Sequence, residues 1–182
     1  MKKIRYIGMA ARIVPDKLQN LFVDIIYKNK SFFFKNNIRV LLAGDGILLK
    51  SLKLKVKNLE LESLVFFSGR LNEESLVKWF KKLDLYVHIS KDETTSTSIL
   101  QAMSMSLPII ASDIGGNRNL VKSIKSVKNM ILVKNEVDKI FNKIEFLMIN
   151  ASLRKKMSIV SRKIVVKYFS CETMYRNYQK IF

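Results

Sequence analysis

Two cations stand at the start of a predicted helix, directly after the first apolar segment of the chain. Arg12 and Lys17 flank a short loop that contains Pro15, and Asp16 is placed to cap the helix that follows. A helix N-terminus carries partial positive charge and free N–H groups, an Arg side chain can grip two phosphate oxygens, and a Lys adds a compact charge. Together they could hold a diphosphate, although two solvated loop cations would give the same pattern.

A later loop carries a carboxylate and a run of small hydroxyl residues. Glu93 stands near the loop tip, and a helix is predicted over 97–104. The first backbone N–H groups of that helix, at Ser98, Ile99 and Leu100, are candidates to bind anionic or hydroxyl oxygens. An N-capped helix without a ligand explains the Ser and Thr residues equally well, but it does not explain the position of Glu93.

Two polar side chains lie next to these candidates. Gln101 is inside the predicted helix, where its amide can both donate and accept hydrogen bonds. His88 is the only histidine and sits in the apolar segment 85–89. That segment favours a buried, hydrogen-bonded ring, and its place at the ligand-facing end of a strand keeps a role in the site open.

Glycines follow two of the other apolar runs. Gly44 and Gly46 come after one run, and Gly115 and Gly116 come after another. A glycine lets the backbone approach a ligand closely and adopt a positive φ. A tight strand-to-helix turn is the alternative interpretation for both pairs.

Strand and helix signals alternate about six times. The predicted strands cover residues 4–10, 38–43, 64–68, 85–89, 108–111 and 130–133. The predicted helices cover 16–34, the segment up to about 59, 72–82, 97–104, a short helix near 119–121 that Gly115 and Gly116 open, and two or three helices within 135–182. This alternation predicts an α/β fold, a doubly wound parallel sheet with helices on both faces and a helical tail. Ligands of such sheets bind beyond the carboxyl ends of the strands, so the loops named above are the informative ones.

The charge balance is strongly basic. The chain of 182 residues has 33 Lys and Arg against 15 Asp and Glu, a net charge of +18. Nucleic acid, an anionic membrane surface or an anionic small ligand would each suit this charge. A compositional bias without any partner is the alternative, because the Lys residues are spread along the chain, Asn and Ile are plentiful and Gly is scarce.

Other features narrow the setting of the protein. The single cysteine, Cys171, cannot form an internal disulfide and suggests no metal cluster, so a reduced, cytoplasmic setting is expected. The apolar run after Lys3 is interrupted by Arg5 and is too short and too charged for a signal peptide or a membrane span. No metal-binding spacing, P-loop or catalytic triad occurs.

In their order and spacing, these segments resemble the C-terminal donor-binding domain of retaining GT-B glycosyltransferases (glycosyltransferase family 4, "glycosyl transferases group 1"). Residues 12–17 resemble the family motif G-R-L-x-x-x-K-G, residues 93–103 resemble E-G-T-S-N-S-I-L-E-A-M, and residues 108–121 resemble P-V-V-A-S-D-x-G-G-N-R-E-L-V. Further matches follow the family order at 41–46, 65–70, 84–90, 153–157 and 168–170. Each motif alone is unspecific, but all of them in order are specific.

The resemblance implies a Rossmann-like domain that binds a UDP- or GDP-linked sugar. Arg12 and Lys17 would neutralise the donor diphosphate, and Glu93 would contact the transferred sugar. The implied binding set also contains Gly44, Gly46, Arg70, Leu71, Ser98, Ile99, Leu100 and Gln101, with Gln101 on the ribose and the loop at Arg70 and Leu71 beside the base. The family transfers a hexosyl group with retention and needs neither metal nor cofactor, because cations and a helix dipole stabilise the leaving diphosphate.

The sequence departs from the family pattern at several positions. Gln101 replaces the second Glu of the E-x7-E pair, and Asn119 stands where a Glu is common. Family glycines are replaced by Ala11, Leu18, Thr94, Ser106 and Met130. Bulk at Thr94 is expected to crowd the donor sugar, and Gln101 is expected to hold the ribose more weakly than a carboxylate would.

The resemblance also implies an incomplete enzyme. GT-B enzymes place the active site between two Rossmann-like domains, and residues 1–182 correspond to one of them, with 135–182 as its helical tail. The acceptor domain would precede Met1, so that a partner chain supplies it or the reading frame is truncated. The isolated chain is therefore expected to be inactive.

Three functions stay open at this point. The first is transfer of a sugar to a glycan or lipid-linked acceptor, in the cytoplasm or peripherally at the inner membrane face. The second is a non-catalytic module that binds a nucleotide sugar or docks a partner enzyme. The third is nucleic-acid binding, which the net charge suggests but which ranks last, because no aromatic-and-basic motif of a known module is present.

Overall fold

In the computed structural model, residues 3–179 are described, so the predictions for Met1, Lys2 and the last three residues of the tail lie outside the described residues. The strands are β1 (Arg5–Ala10), β2 (Ile38–Ala43), β3 (Val65–Gly69), β4 (Leu85–His88), β5 (Ile109–Ser112), β6 (Ser123–Ile124), β7 (Val127–Lys128) and β8 (Met130–Val133). The helices are α1 (Gln19–Lys28), α2 (Lys30–Lys35), α3 (Leu49–Asn58), α4 (Glu73–Lys81), α5 (Thr97–Ser104), α6 (Gly115–Leu120), α7 (Val137–Ile149), α8 (Ala151–Phe169) and α9 (Cys171–Tyr178).

Six strands form one parallel sheet in the order β3-β2-β1-β4-β5-β8. The chain winds outward in one direction from β1 and in the other direction from β4. These two strands are paired at Ile7↔Leu85 and Gly8↔Tyr86. The predicted doubly wound sheet is therefore confirmed, and its topological switch point lies between β1 and β4.

The strands are apolar on both faces because helices cover both faces. In β1, Ile7 and Met9 belong to one core cluster and Ala10 belongs to the other. In β4, Val87 belongs to the first cluster and Tyr86 to the second. Helices α1, α3 and α7 cover the first cluster, and helices α4, α5 and α8 cover the second. The two-residue alternation of a strand thus builds a core on each side of the sheet.

The single helix predicted over 16–34 is wrong. A 3-10 turn at Pro15–Lys17 is followed by Leu18 in the left-handed region, and α1 starts only after it. Asn29 separates α1 from α2, and its side chain donates to the Ile25 carbonyl at 2.9 Å in competition with the helix backbone. The predicted cap by Asp16 is also wrong, since no side chain caps the turn or α1.

A short hairpin, β6–β7, was not predicted. Lys125 and Ser126 form its two-residue turn with φ of 47° and 64°. Gly or Asn is the usual signal for such a turn, and neither occurs there, so turn chemistry could not reveal it. The short helix predicted to open at Gly115 and Gly116 does start at Gly115, and it ends at Leu120, within the segment 119–121 in which it was expected.

Helices α7, α8 and α9 form the expected helical tail as far as the described residues extend. Asn150 and Ser170 cap α8 and α9 through their side-chain oxygens. Within residues 3–179, no helix is long and apolar enough to cross a membrane.

Candidate functional site

The loops after β1 and β4 meet at the switch point of the sheet. The Asp16 carbonyl accepts a hydrogen bond from the Lys91 N–H at 2.8 Å and one from the Ser90 hydroxyl at 3.0 Å. The loop after β1 is also closed on itself, because the buried Gln19 amide donates to the Arg12 carbonyl at 2.8 Å. The two hydrogen bonds to Asp16 bring residues that are more than 70 positions apart to one edge of the sheet.

A carboxylate with two cationic or proton-donating neighbours lies at this meeting point. Glu93 Oε1 forms an ion pair with Lys17 Nζ and lies 2.6 Å from His88 Nε2. The exposed fractions of the Lys17, Glu93 and His88 side chains are only 16%, 12% and 2%. Burial acts to raise the pKa of Glu93, but the hydrogen bonds from His88 and Lys17 outweigh it and lower that pKa to about 2. Glu93 is therefore ionised at neutral pH.

Hydroxyl groups surround the His88 ring. Its Nδ1 lies 3.4 Å from both Tyr86 Oη and Ser98 Oγ, and its Nε2 lies 3.3 Å from Ser96 Oγ. Tyr86 Oη donates to the Ala10 carbonyl at 3.0 Å, and burial raises the pKa of Tyr86 so that it stays protonated. The interpretation of His88 as a buried, hydrogen-bonded ring is confirmed, and the ring contacts the candidate site directly.

Two cavities share Arg12 as a lining residue. One, of about 190 Å³, is lined by Arg12, Lys17, His88, Glu93 and residues 95–98. The other, a cleft of about 700 Å³, is lined by Arg12, Ile47, Arg70 and the segment 44–46. Residues predicted in the loops after β1, β2, β3 and β4 thus line two cavities that share Arg12.

Gly44 and Gly46 have a structural reason for being glycine. Both adopt positive φ, at 133° and 156°. A Cβ on Gly44 would lie 1.9 Å from the Ala11 carbonyl oxygen, and one on Gly46 would lie 2.4 Å from the Ile13 carbonyl oxygen. The close approach that they permit is between two loops of the protein itself, and it fixes the cleft wall beside Arg12.

The N-terminus of α5 is partly occupied by its own cap. The Ser96 hydroxyl lies 3.4 Å from the Ile99 N–H, and the Leu100 N–H donates to the Ser96 carbonyl at 3.2 Å. The Ser98 N–H has no partner among residues 3–179. Of the three predicted N–H donors, Ser98 is the one that the structure leaves available to a ligand.

Three predicted residues lie outside the linings of the two cavities that share Arg12, because they line other cavities or pack on the core. Gln101 is exposed and lines a separate cavity of about 220 Å³ between α4 and α5 together with Glu73. The Leu71 side chain packs against the second core cluster. The Leu100 side chain lines an apolar cavity of about 340 Å³ with residues of α8 and α9 such as Met174.

The glycine replacements fall into two groups. Leu18 and Ser106 adopt left-handed φ of 49° and 59°. The backbone at these positions keeps a conformation that glycine favours, and it is strained there because both residues carry a Cβ. Ala11, Thr94 and Met130 do not adopt positive φ. Thr94 is exposed, and the expected crowding of a donor sugar by its side chain stays a prediction.

The Glu93 loop has a second backbone support, which the sequence did not reveal. The Gly116 N–H donates to the Glu93 carbonyl at 3.1 Å, and Gly116 itself is buried. A Cβ there would lie 2.1 Å from that carbonyl oxygen. The paired glycines after β5 were a visible signal, but their contact with another loop depends on the tertiary fold.

Across residues 3–179, no group of three or more His, Cys, Asp and Glu side chains is arranged to hold a metal ion.

A parallel sheet of order 3-2-1-4-5-8 with its polar residues at the switch point defines a Rossmann-like α/β domain. The family model described as "Glycosyl transferases group 1" matches residues 2–164. The chain belongs to this family.

The curated relatives extend beyond the chain. An uncharacterised glycosyltransferase of Methanocaldococcus jannaschii is 28% identical over the whole chain, which spans 50% of that relative. A GDP-mannose-dependent alpha-mannosyltransferase of Mycolicibacterium smegmatis is 27% identical over 63% of the chain and 27% of its own length. The chain thus spans about half or less of the length of these relatives.

Solved structures have the same fold. Anabaena Alr3699/HepE in complex with UDP and glucose superposes with a TM-score of 0.84 at 22% identity, over 98% of this chain and 48% of that one. The catalytic domain of the Helicobacter pylori cholesterol-alpha-glucosyltransferase superposes with a TM-score of 0.76 at 24% identity, over 91% and 99% of the two chains. Membership of the family and these superpositions identify the chain as a GT-B glycosyltransferase domain of the C-terminal type.

Proposed function

We propose that this chain binds a UDP- or GDP-linked sugar at the switch point of its sheet. In the complete enzyme, the hexosyl group of that donor passes to a glycan or a lipid-linked acceptor with retention of configuration. The observation that carries this proposal is the meeting of Arg12, Lys17, Glu93 and the free Ser98 N–H around one cavity, which shares Arg12 with a larger cleft.

Each side chain has a task in this proposal. Arg12 and Lys17 bind the diphosphate, and with the N-terminus of α5 they stabilise the negative charge that develops as the diphosphate leaves. The Glu93 carboxylate accepts hydrogen bonds from sugar hydroxyls, which its low pKa permits. The cleft beside Gly44, Gly46 and Arg70 is large enough for a nucleoside. Neither a metal nor a cofactor is part of this proposal.

The remainder of the enzyme is proposed from the length of the relatives. Because the chain spans about half of the M. jannaschii relative, we propose that residues 1–182 are one donor-binding domain and that an acceptor domain comes from the same protein or a partner chain. We further propose that the enzyme acts in the cytoplasm and contacts the membrane surface through its lysines.

Calorimetry tests the donor site. The chain is titrated with UDP, GDP, UDP-glucose and GDP-mannose, and so is an Arg12→Ala/Lys17→Ala variant. We expect saturable binding to nucleotides of one base and a loss of at least tenfold in affinity in the variant, because each charged hydrogen bond contributes about 1.5–3 kcal/mol.

The matched control removes the same charge elsewhere. Lys155 and Lys156 are exposed on α8, and none of the ion pairs found in residues 3–179 includes either. A Lys155→Ala/Lys156→Ala variant is expected to bind like the wild type. Equal losses in both variants would show that net charge, and not this site, attracts the nucleotide.

A binding module without catalysis is the second candidate. Gln101 favours it, since this residue lacks the charge of the carboxylate that it replaces and lies in a separate cavity. The two candidates differ in turnover: the binding module would hold the nucleotide sugar without hydrolysing or transferring it, even when acceptor and acceptor domain are supplied.

A further inference from the structure

The position of His88 gives this residue a task beyond filling the core. It is the only histidine of the chain, and it is the last residue of β4, directly beside the candidate site. Its ring is faced by Tyr86 from β4, by Ser96 and Ser98 from the start of α5, and by Glu93 from the loop between them. With 2% of its side chain exposed, the ring can contact Glu93 but is not an open ligand surface.

The two donors of Glu93 converge on one oxygen. His88 Nε2 and Lys17 Nζ both contact Oε1. Within residues 3–179, no hydrogen bond reaches Oε2, and Glu93 lines the 190 Å³ cavity. The second oxygen is therefore the one that is available to a ligand in that cavity.

The two donors differ in how freely they can leave. Lys17 sits on a flexible stem at the cavity wall and is named above as a ligand of the diphosphate. The His88 ring is held by the β4 backbone and by its neighbours, and it stacks at 6.1 Å on the Tyr86 ring. When a diphosphate attracts Lys17, His88 is the donor that stays on Glu93.

We propose that His88 is a positioning residue, which holds Oε1 of Glu93 so that Oε2 faces the transferred sugar while Lys17 turns to the diphosphate. This proposal rests on the proposed donor site and adds to it a residue that gives the carboxylate its orientation.

This task requires a proton on His88 Nε2, because the ionised Glu93 carboxylate can only accept a hydrogen bond. Tyr86 has one hydroxyl proton and donates it to the Ala10 carbonyl, so Ser98 is the hydroxyl that can donate to His88 Nδ1. The ring then carries its proton on Nε2, the nitrogen that faces Glu93. An Nε2-bound proton in the unliganded protein is thus the first requirement of the proposal.

Nucleotide binding separates positioning from mere packing. The wild type, His88→Leu, His88→Gln and Lys17→Ala are titrated with UDP and UDP-glucose, and with GDP and GDP-mannose. We expect His88→Leu to reduce the affinity that the sugar adds to the nucleotide by about tenfold, while the affinity for the bare nucleotide changes less than about threefold. Lys17→Ala should weaken the binding of both ligands.

The conservative variant gives the decisive comparison. The amide nitrogen of Gln can take the place of Nε2, so His88→Gln should retain most of the sugar contribution. Equal losses for bare nucleotide and nucleotide sugar in His88→Leu, or a His88→Gln variant that is no better than His88→Leu, would overturn the positioning role.

A measurement without ligand keeps this proposal apart from the proposed function. Because the chain has a single histidine, the imidazole signals of a ¹⁵N spectrum need no assignment. We expect the Nε2–H tautomer and a slowly exchanging proton in the wild type, with faster exchange in Glu93→Ala. If no nucleotide binds the wild type, the donor site fails and this spectrum decides alone. An Nδ1–H tautomer, or exchange that Glu93→Ala leaves unchanged, refutes the contact.

Discussion

A single methyl group at Gly116 tests how the Glu93 loop is held. In the native structure, an added Cβ would lie 2.1 Å from the Glu93 carbonyl oxygen and 2.2 Å from that of Thr94. Real Cβ contacts are essentially never shorter than 3.0 Å, and both obstacles are backbone atoms, so the loop must retreat by about 0.9 Å. If the loop moves along the contact between His88 Nε2 and Glu93 Oε1, this 2.6 Å distance lengthens to about 3.5 Å and the hydrogen bond is weakened.

Both stability and binding should respond to Gly116→Ala. Overpacking of this kind costs about 1–3 kcal/mol, and at 2–4 °C per kcal/mol the Tm should fall by about 2–12 °C. Binding of the nucleotide sugar should weaken by about tenfold, because the Glu93 carboxylate is displaced. Differential scanning calorimetry and isothermal titration measure the two effects on the same samples.

Gly115 provides a control one residue away. It lies in the same helix, and a Cβ there meets nothing within 4 Å. Gly115→Ala should leave binding unchanged and leave the Tm equal or slightly higher, since Ala favours a helix by up to about 1 kcal/mol over Gly. If Gly116→Ala behaves like Gly115→Ala, the contact between the β5 loop and the Glu93 loop does not hold the site, and the reasoning is refuted.

Three further predictions use stability and surface charge. Ser106 follows the end of α5 in a left-handed conformation, and the Leu107 N–H donates to the Ala102 carbonyl. Ser106→Gly should therefore raise the free energy of unfolding, measured by urea titration, by about 0.5–1 kcal/mol. Ser104→Gly, inside the helix, should lower it. The folded protein lowers the pKa of Glu93 from 4.5 to about 2, so its carboxylate stabilises the fold above pH 4.5 by about 1–3 kcal/mol, since solvent screens part of the interaction. This contribution disappears as the pH falls from 4.5 to 2, so the stability difference between wild type and Glu93→Gln should shrink over that window and stay constant at higher pH. Co-sedimentation with liposomes should be greater for anionic than for neutral lipid and should fall with salt, and equal binding to both would remove the proposed membrane contact.

The strands of the sheet could be predicted from the sequence because one physical rule applies to all of them. Buried parallel strands are apolar on both faces, so the runs that end at Ala43 and His88 stand out without any knowledge of their partners. The cap of α4 by Asn72 is equally local, since the Ser75 N–H donates to the Asn72 side chain at 2.9 Å within four residues of chain. Structural features that depend on neighbouring residues in the chain can thus be predicted from the sequence.

Features that depend on contacts between loops could not be predicted in this way. The helix break at Leu18 requires a positive φ, and a leucine does not indicate such a backbone conformation. The apolar spacing of the sequence therefore predicted one helix that continued through Leu18. The role of Gly116 depends on the Glu93 loop, which lies 23 positions earlier in the chain. The occupied N–H groups of Ile99 and Leu100 likewise follow from the cap by Ser96, which leaves only part of the predicted anion site available.

The ion pair of Lys17 shows why the number of cations at the candidate site does not by itself determine how strongly the site attracts a diphosphate. Lys17 is neutralised by Glu93, so a donor diphosphate must displace a carboxylate from it, and the gain from the new contact is reduced by the loss of the old one. Arg12 has no such carboxylate partner among the described residues and lines both cavities, which makes it the stronger attraction for the diphosphate. On the proposed function, a sugar hydroxyl bound to Oε2 of Glu93 offsets part of this loss, and a bare nucleotide lacks that hydroxyl. On the proposed function, the ion pair is therefore expected to favour binding of a nucleotide sugar over binding of the nucleotide that remains after transfer.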